Sequence, residues 1–167
     1  GGADTYASAA GGTIGMSGSG TLNVGATGKI HGNGQFKMTG SKMVIGNISS
    51  SVKIWLTGST KITGNANAPV ITASGTAITG SKTIGAVPTI TIPDFDATAF
   101  KNAAIANGQY FTATKSYSGS TDITPHGGIV YSEGDINISG SGRMIGCFIA
   151  NGAIKISGSG DQIQVNK

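Results

Sequence analysis

The sequence predicts an all-β fold: a parallel, three-sided β-helix (a solenoid) with one short α-helix. The first observation is a repeat, because Ile-Ser-Gly-Ser-Gly occurs at residues 138–142 and again 18 residues later at 156–160. A period of about 20 residues is typical of solenoids, which stack short coils into one core. The second observation is alternation, because an apolar, a polar and an apolar residue precede Ser/Thr-Gly in each repeat. Such alternation indicates a half-buried strand.

The coils follow from these repeats in chain order. Gly40 and Gly58 are 18 residues apart, as are Gly140 and Gly158, and each is expected to turn a corner. Three short strands and their corners fill about 18 residues, and successive coils should lie about 4.8 Å apart. We expect a right-handed solenoid, since right-handed crossovers dominate parallel sheets. The strongest inward-facing pairs are Ile54/Leu56, Ile90/Ile92, Ile136/Ile138, Ile154/Ile156 and Ile163/Val165.

Composition fits one domain over residues 1–167. Charged residues make up 11% of the chain, against about 25% in an average domain. The chain has no stretch of 18 apolar residues, so we expect no membrane span within it. It lacks an initiator methionine, so we expect a processed or excised segment of a longer product.

The polar residues suggest neither a cofactor nor a metal. The net charge is +4, and the dispersed lysines either keep a charge-poor rod soluble or attract an anionic polymer. Basic clusters interleaved with aromatic residues are missing, so we expect no specific nucleic-acid partner. His31 and His126 have no ligand at metal-binding spacing and are expected at the surface or at a corner. The single Cys147 stands among apolar residues and is expected to be buried.

The repeat lapses over residues 88–124, which we interpret as a helix-containing insertion within the solenoid. Asp94 or Asp96 is suited to cap a short helix, and Gly108 is suited to end it. The segment is either a packed insertion that seals one face or a contact for a partner or ligand, since solenoid insertions cluster on one face. The candidate contact residues are Phe100, Tyr110, Phe111 and Tyr117.

Part of the chain resembles a family of surface proteins. Pro93-Asp94-Phe95-Asp96, the Ala-rich helix, Gly108-Gln109-Tyr110-Phe111 and the coil at residues 128–140 are similar to β-helical ectodomains of bacterial pilus-assembly-associated surface proteins. The resemblance covers about residues 88–160 and implies an extracellular or cell-surface location in a bacterium. More loosely, the N-terminal half resembles bactofilins, and that resemblance implies end-to-end polymerisation.

Catalysis has one candidate pair of residues. Glu133 and Asp135 are two apart on one predicted strand, so both should point to the same side. Paired carboxylates can act on polysaccharides, but Gly134-Asp135 also suits a corner. We therefore expect a protein that is not an enzyme and rank a polysaccharide-active enzyme third.

The leading hypothesis is a structural subunit that assembles head to tail with copies of itself. Solenoid ends expose unpaired strand edges, and the sequence shows no terminal cap helix. The subunit joint is expected at Ile14, Met16, Leu22, Val24, Ile154, Ile156, Ile163 and Val165. The assembly would be a bacterial extracellular filament, pilus or surface structure, with other surface proteins or glycans as further partners. The alternative is a monomeric adhesin or glycan-binding module that uses the 88–124 insertion.

Overall fold

The computed structural model describes residues 8–73, 77–89, 97–120, 124–141, 145–158 and 162–164. Side chains at 97–100, 145 and 162–164 are not among those described. The chain forms a β-solenoid of parallel strands with one α-helix, which confirms the predicted fold class. Buried and less buried residues alternate in strands such as Ile14–Met16, Phe36–Met38 and Ile136–Ile138, as the sequence pattern predicts.

Two stretches of chain build the solenoid. The first contains β1 (Ser8–Ala10), β2 (Ile14–Met16), β3 (Thr21–Asn23), β4 (Lys29–Gly32), β5 (Phe36–Met38), β6 (Met43–Ile45), β7 (Asn47–Ser50), β8 (Ile54–Leu56), β9 (Lys61–Thr63), β10 (Ala66–Ala68), β11 (Ile71–Thr72) and β12 (Lys82–Ile84). The second contains α1 (Ala97–Ala106), β13 (Tyr110–Phe111), β14 (Lys115–Tyr117), β15 (Ile129–Ser132), β16 (Ile136–Ile138), β17 (Ile145–Ala150), β18 (Ile154–Ile156) and β19 (Gln162–Gln164).

The strands lie on three faces. Face A has the order β12-β10-β7-β4-β1-β17-β15-β13, and face B has the order β11-β8-β5-β2-β18-β16-β14. Face C has the order β9-β6-β3-β19, and the first two residues of β17 pair with β19 beyond it. The eight strands of face A give a rod about 38 Å long at 4.8 Å per strand. The two ends of the rod are the upper end, defined as residues 71–73 and 77–84, and the lower end, defined as residues 110–117.

The chain begins in the middle of the rod. Its first coil, β1 to β3, pairs on one side with β4 to β6 and on the other with the last coil, β17 to β19. The chain winds from this seam to the upper end, returns to the lower end, and then winds back to the seam. The seam therefore joins the first and last described coils within one molecule.

The main core fills the interior of the rod. Aliphatic side chains stack in columns along the axis, and Ile154, Ile14 and Phe36 are successive, fully buried members of one column on face B. Among the predicted inward pairs, Ile54/Leu56, Ile136/Ile138 and Ile154/Ile156 are buried, which confirms them. Ile90/Ile92 and Val165 lie outside the described residues, as does the side chain of Ile163.

A second, smaller core lies outside face A, beneath α1. Ala104 of the helix packs against Tyr131, Ile149 and Cys147, all nearly or fully buried. The expected burial of Cys147 is confirmed, although it lies under the helix and not in the main core. Gly108 has φ +69° just after the helix, as its predicted role at the C-terminus requires. Asp94 and Asp96 lie outside the described residues.

The described residues of the predicted subunit joint lie at the seam and not at the ends of the stack. Ile14 and Met16 do not lie at a solenoid end, because they pair with Ile154 and Ile156 across the seam. Leu22 pairs with Gln162, and Ile163 pairs with Asn23. Each described joint strand has neighbours on both sides, and Val24 is 5% exposed. The reason is topological, since the first and last coils stack on each other and two internal coils become the ends.

The predicted insertion also contains part of the solenoid itself. Residues 110–117 supply strands β13 and β14, which pair with β15 and β16. Among the described residues, the crossing segment (defined as residues 87–89) and α1 lie outside the paired strands. The terminal coil carries Lys115 and Tyr117 where the next two coils carry isoleucine pairs, so its two inward positions depart from the apolar pattern of the repeat.

Corner glycines give a stability prediction with a matched control. Gly40 has φ +77°, and a Cβ there would lie 2.6 Å from the Gly18 carbonyl oxygen of the neighbouring coil. Gly40→Ala should therefore lower the free energy of unfolding by at least about 1–2 kcal/mol. Gly15→Ala should be neutral or stabilising by about 0.5–1 kcal/mol, because a Cβ on that strand meets nothing within 4 Å. Urea unfolding of both variants checks the contrast, and equal losses would contradict it.

Candidate functional site: the two ends of the solenoid

Strand β12 ends the upper part of the rod and leaves an apolar side chain uncovered. Ile84 pairs with Ala68, which is fully buried, yet Ile84 itself is 63% exposed. Ile71 and Ile78 of the same end pack against the main core and remain partly exposed. The upper end therefore presents the interior columns of the solenoid to solvent.

The backbone of β12 is also oriented for further pairing. Ser81 and Gly85 hydrogen-bond to Ala66 and Ala68 of β10. Because backbone groups alternate sides in a parallel ladder, the N–H and C=O groups of Lys82 and Ile84 are directed away from β10. This edge is a template for another parallel strand.

The lower end is closed by larger side chains. Lys115 and Tyr117 align with the buried Ile136 and Ile138, so they occupy inward positions under the last full coil. The Lys115 Nζ atom lies 4.6 Å from the ring centroid of Phe111 and 5.1 Å from that of Tyr117. These two cation–π contacts keep a charged group at the floor of an apolar core.

Tyr117 is a polar member of this floor. Its hydroxyl oxygen is buried and has no hydrogen-bond partner among the described residues. Burial raises the pKa of Tyr117 to about 12, so the phenol stays neutral at physiological pH. Strand β14 forms two backbone hydrogen bonds toward β16: Lys115 N–H donates to Asp135 C=O, and Tyr117 C=O accepts from Ser139 N–H. Because backbone groups alternate sides along a parallel strand, the N–H and C=O groups of Ser116 point away from β16 at this end.

The predicted contact residues thus separate into two groups. Phe111 and Tyr117 belong to the lower end and pack against the main core. Tyr110 lies on the outer side of face A, where its ring centroid is 6.0 Å from that of Tyr131. Phe100 lies in α1, and its side chain is not among those described.

A hydrogen-bonded cluster links α1 to the solenoid. The Lys101 ammonium lies 3.0 Å from Glu133 Oε1, and the Tyr110 hydroxyl donates to the same oxygen at 2.7 Å. Asn151 donates to the other carboxylate oxygen. The hydrogen bond from Tyr110, followed by that from Lys101, lowers the pKa of Glu133. The carboxylate is therefore ionised at neutral pH and anchors the helix.

This anchor predicts a pH dependence. A carboxyl group with a lowered folded-state pKa stabilises the protein above its ordinary pKa, and this contribution is lost as the pH falls through the lowered value. The stability advantage of the wild type over Glu133→Gln should be largest at neutral pH and shrink in acid. Thermal unfolding of both proteins across acidic and neutral buffers checks this. A difference that does not change with pH would contradict it.

The predicted catalytic pair does not form one site. Glu133 is held by Lys101, Tyr110 and Asn151. Asp135 instead accepts a 2.8 Å hydrogen bond from the backbone N–H of Ala153 in the next coil. Asp135 therefore holds a corner, as the alternative interpretation of Gly134-Asp135 allows.

A groove of about 700 Å³ lies on the upper half of face A. Its floor contains a column of polar residues in register, His31, Ser49, Asn67 and Thr83. Residues 87–89, the crossing segment, form the wall beside this floor. The expectation that His31 lies at the surface or at a corner is wrong, since this residue lies within β4, is 1% exposed and forms hydrogen bonds with Ser49 and Asn33.

Desolvation lowers the pKa of His31, so its ring is neutral at physiological pH. Among the described residues, no group of three or more His, Cys, Asp or Glu side chains is placed to hold a metal ion. In the same part of the chain, no helix has the length and apolar character needed to span a membrane.

Sequence reasoning missed the upper end and recognised only part of the lower one. Ile84 gave no signal, because an end position looks like any other strand position. The lower end did have one, since Lys115-Ser116-Tyr117-Ser118-Gly119 keeps the order of the repeat with lysine in an apolar position. Gly119 stands 21 residues before Gly140, close to the coil length.

Comparison of the chain with protein-family models, curated proteins and solved structures finds no match.

Proposed function

We propose that this chain is a non-enzymatic structural subunit that stacks end to end into a bacterial extracellular filament, pilus or surface structure. The observation that carries the proposal concerns the main core. Its partly buried hydrophobic side chains lie only at the two ends among the described residues: Ile71, Ala73, Ile78, Phe111 and Tyr117. The core is thus incomplete where one copy could cover another.

The strands at the upper end of one copy can also pair with the strands at the lower end of another copy. Every pairing between the described strands is parallel, so in a second copy placed on the upper end β13 continues face A beyond β12, and β14 continues face B beyond β11. If the residue alignment of face A continues from one copy into the next, Ile84 lies opposite Phe111 of the second copy. The 63% exposed side chain of Ile84 then gains an apolar neighbour. Identical head-to-tail contacts that do not close produce an open filament.

Sedimentation velocity over a series of protein concentrations tests this proposal. A subunit that stacks end to end should shift from single rods to progressively longer species as the concentration rises. A single species of unchanged mass over the whole series would count against end-to-end stacking.

A second candidate is a surface-displayed glycan-binding module, as the groove on face A favours. Sugar-binding sites need several polar groups on a shaped surface, and the exposed Asn67 with its column neighbours supplies them beside the crossing segment. If the groove binds glycan, Asn67→Ala should reduce retention on an immobilised glycan array without changing the mass of the protein species in sedimentation velocity. Unchanged retention, or no retention of the wild type, would remove this candidate.

A further inference from the structure

A shallow notch of about 430 Å³ opens on the outer side of face B. Its centre is Gly15, which stands in register between Lys155 on one side and Lys37 on the other. A Cβ at Gly15 would meet no heavy atom within 4 Å, so the missing side chain creates the open space. Hydroxyl groups of Thr39 and Ser157 flank it. We call this feature the Gly15 notch.

The rim of the Gly15 notch is cationic. Lys155 is exposed, and its backbone lies two strands, or about 10 Å, from that of Lys37. The Lys37 Nζ atom lies 4.3 Å from the ring centroid of Trp55, and the Lys53 Nζ atom lies 4.8 Å from it. No carboxylate stands among the described residues that line the notch. Two ammonium groups are therefore gathered on one ring, and a third lies on the opposite side of Gly15.

We propose that the Gly15 notch binds an acidic polysaccharide and seats one sugar ring carrying a carboxylate. The glycine backbone and the lysine stems offer an apolar surface for the C–H face of the ring. The flanking hydroxyl groups match sugar hydroxyls, and Lys37 and Lys155 match the carboxylate. Nucleic acid fits less well, because Lys37 and Lys53 lie over Trp55, the chain's single tryptophan, where a base would stack.

The Gly15 notch is independent of end-to-end stacking. It lies at the seam, in the middle of face B, so copies added at the rod ends leave it open. Assembly would repeat the notch along a filament and increase its avidity. The groove on face A is a different surface, and the exposed Lys61 on face C serves as a control.

The experiment titrates the 167-residue chain with an oligogalacturonate and follows the fluorescence of Trp55. Lys37 joins the notch to this ring, so occupancy should change the emission. Lys37→Gln and Lys155→Gln should each weaken binding about fivefold, whereas Lys61→Gln on face C should not. Gly15→Leu fills the space without altering charge and should weaken binding by about tenfold or more. Gly15→Ala is the folding control.

Two comparison ligands separate this site from general attraction. A neutral dextran oligomer should not bind, and single-stranded DNA should bind more weakly than the uronate oligomer. Equal binding of DNA and uronate with no effect of Gly15→Leu would overturn the proposal in favour of unspecific charge attraction. Absence of uronate binding to the wild type would overturn it as well. Neither result bears on end-to-end stacking, which sedimentation measures separately.

Discussion

Ile84→Asp is expected to hold the protein as single rods at concentrations where the wild type assembles. The substitution places a charge in the joint that Ile84 would form with Phe111 of the next copy, where burying an unpaired carboxylate costs several kcal/mol. Because Ile84 is 63% exposed in one molecule, the monomer should remain folded. Sedimentation velocity gives the mass, and circular dichroism confirms the fold. Ile105→Asp on the 51% exposed helix position is the matched control and should assemble normally.

A second variant blocks the lower end. Ser116→Pro removes an outward-directed N–H from β14 and should also give single rods. An equimolar mixture of Ile84→Asp and Ser116→Pro should form dimers that do not grow, because one intact upper end meets one intact lower end. Long polymers of either single variant, or a mixture that stays monomeric, would contradict the proposed joint.

Ile154→Ala is expected to produce the largest loss of stability. Ile154 is fully buried between Ile136 and Ile14, so the substitution opens a cavity at the seam. The free energy of unfolding should fall by about 2–5 kcal/mol. The same substitution at the exposed Ile105 should change it by no more than about 0.5 kcal/mol. Urea unfolding compares the two, and similar losses would mean that the seam is not a packed interface.

A disulfide tests whether the seam lies within one molecule. Gly15 and Lys155 are paired on adjacent parallel strands, about 4.8 Å apart, and this separation suits a disulfide between cysteines placed at both positions. Oxidation of the double variant should give a cross-linked monomer on a denaturing gel. A covalent ladder of multimers would show instead that the first and last coils pair between chains.

The repeating unit of this fold could be predicted from the sequence. A strand is recognised from local alternation of apolar and polar residues, and a corner is recognised from a local glycine. The inward-facing role of Ile54 and Leu56 and the corner at Gly40 can therefore be predicted from their neighbours in sequence. The end of the helix at Gly108 is a local signal of the same kind. These features need no knowledge of distant contacts.

The order of the coils could not be predicted from the sequence. Ile14 lies between Phe36 and Ile154 in the structure, but the sequence does not single out these two neighbours. Any two coils of similar length would align their inward-facing apolar residues equally well. Which coils become the ends of the stack depends on pairings between coils that are far apart in the chain, and such pairings are long-range properties. The burial of His31 could not be predicted either, because its hydrogen-bond partner Ser49 lies in the neighbouring coil. The first and last described coils therefore lie at the seam, and internal parts of the chain form the upper and lower ends.

Electron microscopy of the purified chain over a concentration series, with Ile84→Asp beside the wild type, tests end-to-end assembly most directly. The account predicts uniform filaments with a subunit repeat of about 38 Å for the wild type and isolated rods for the variant. Isolated rods of the wild type at every concentration would contradict it, as would filaments that form equally well from Ile84→Asp.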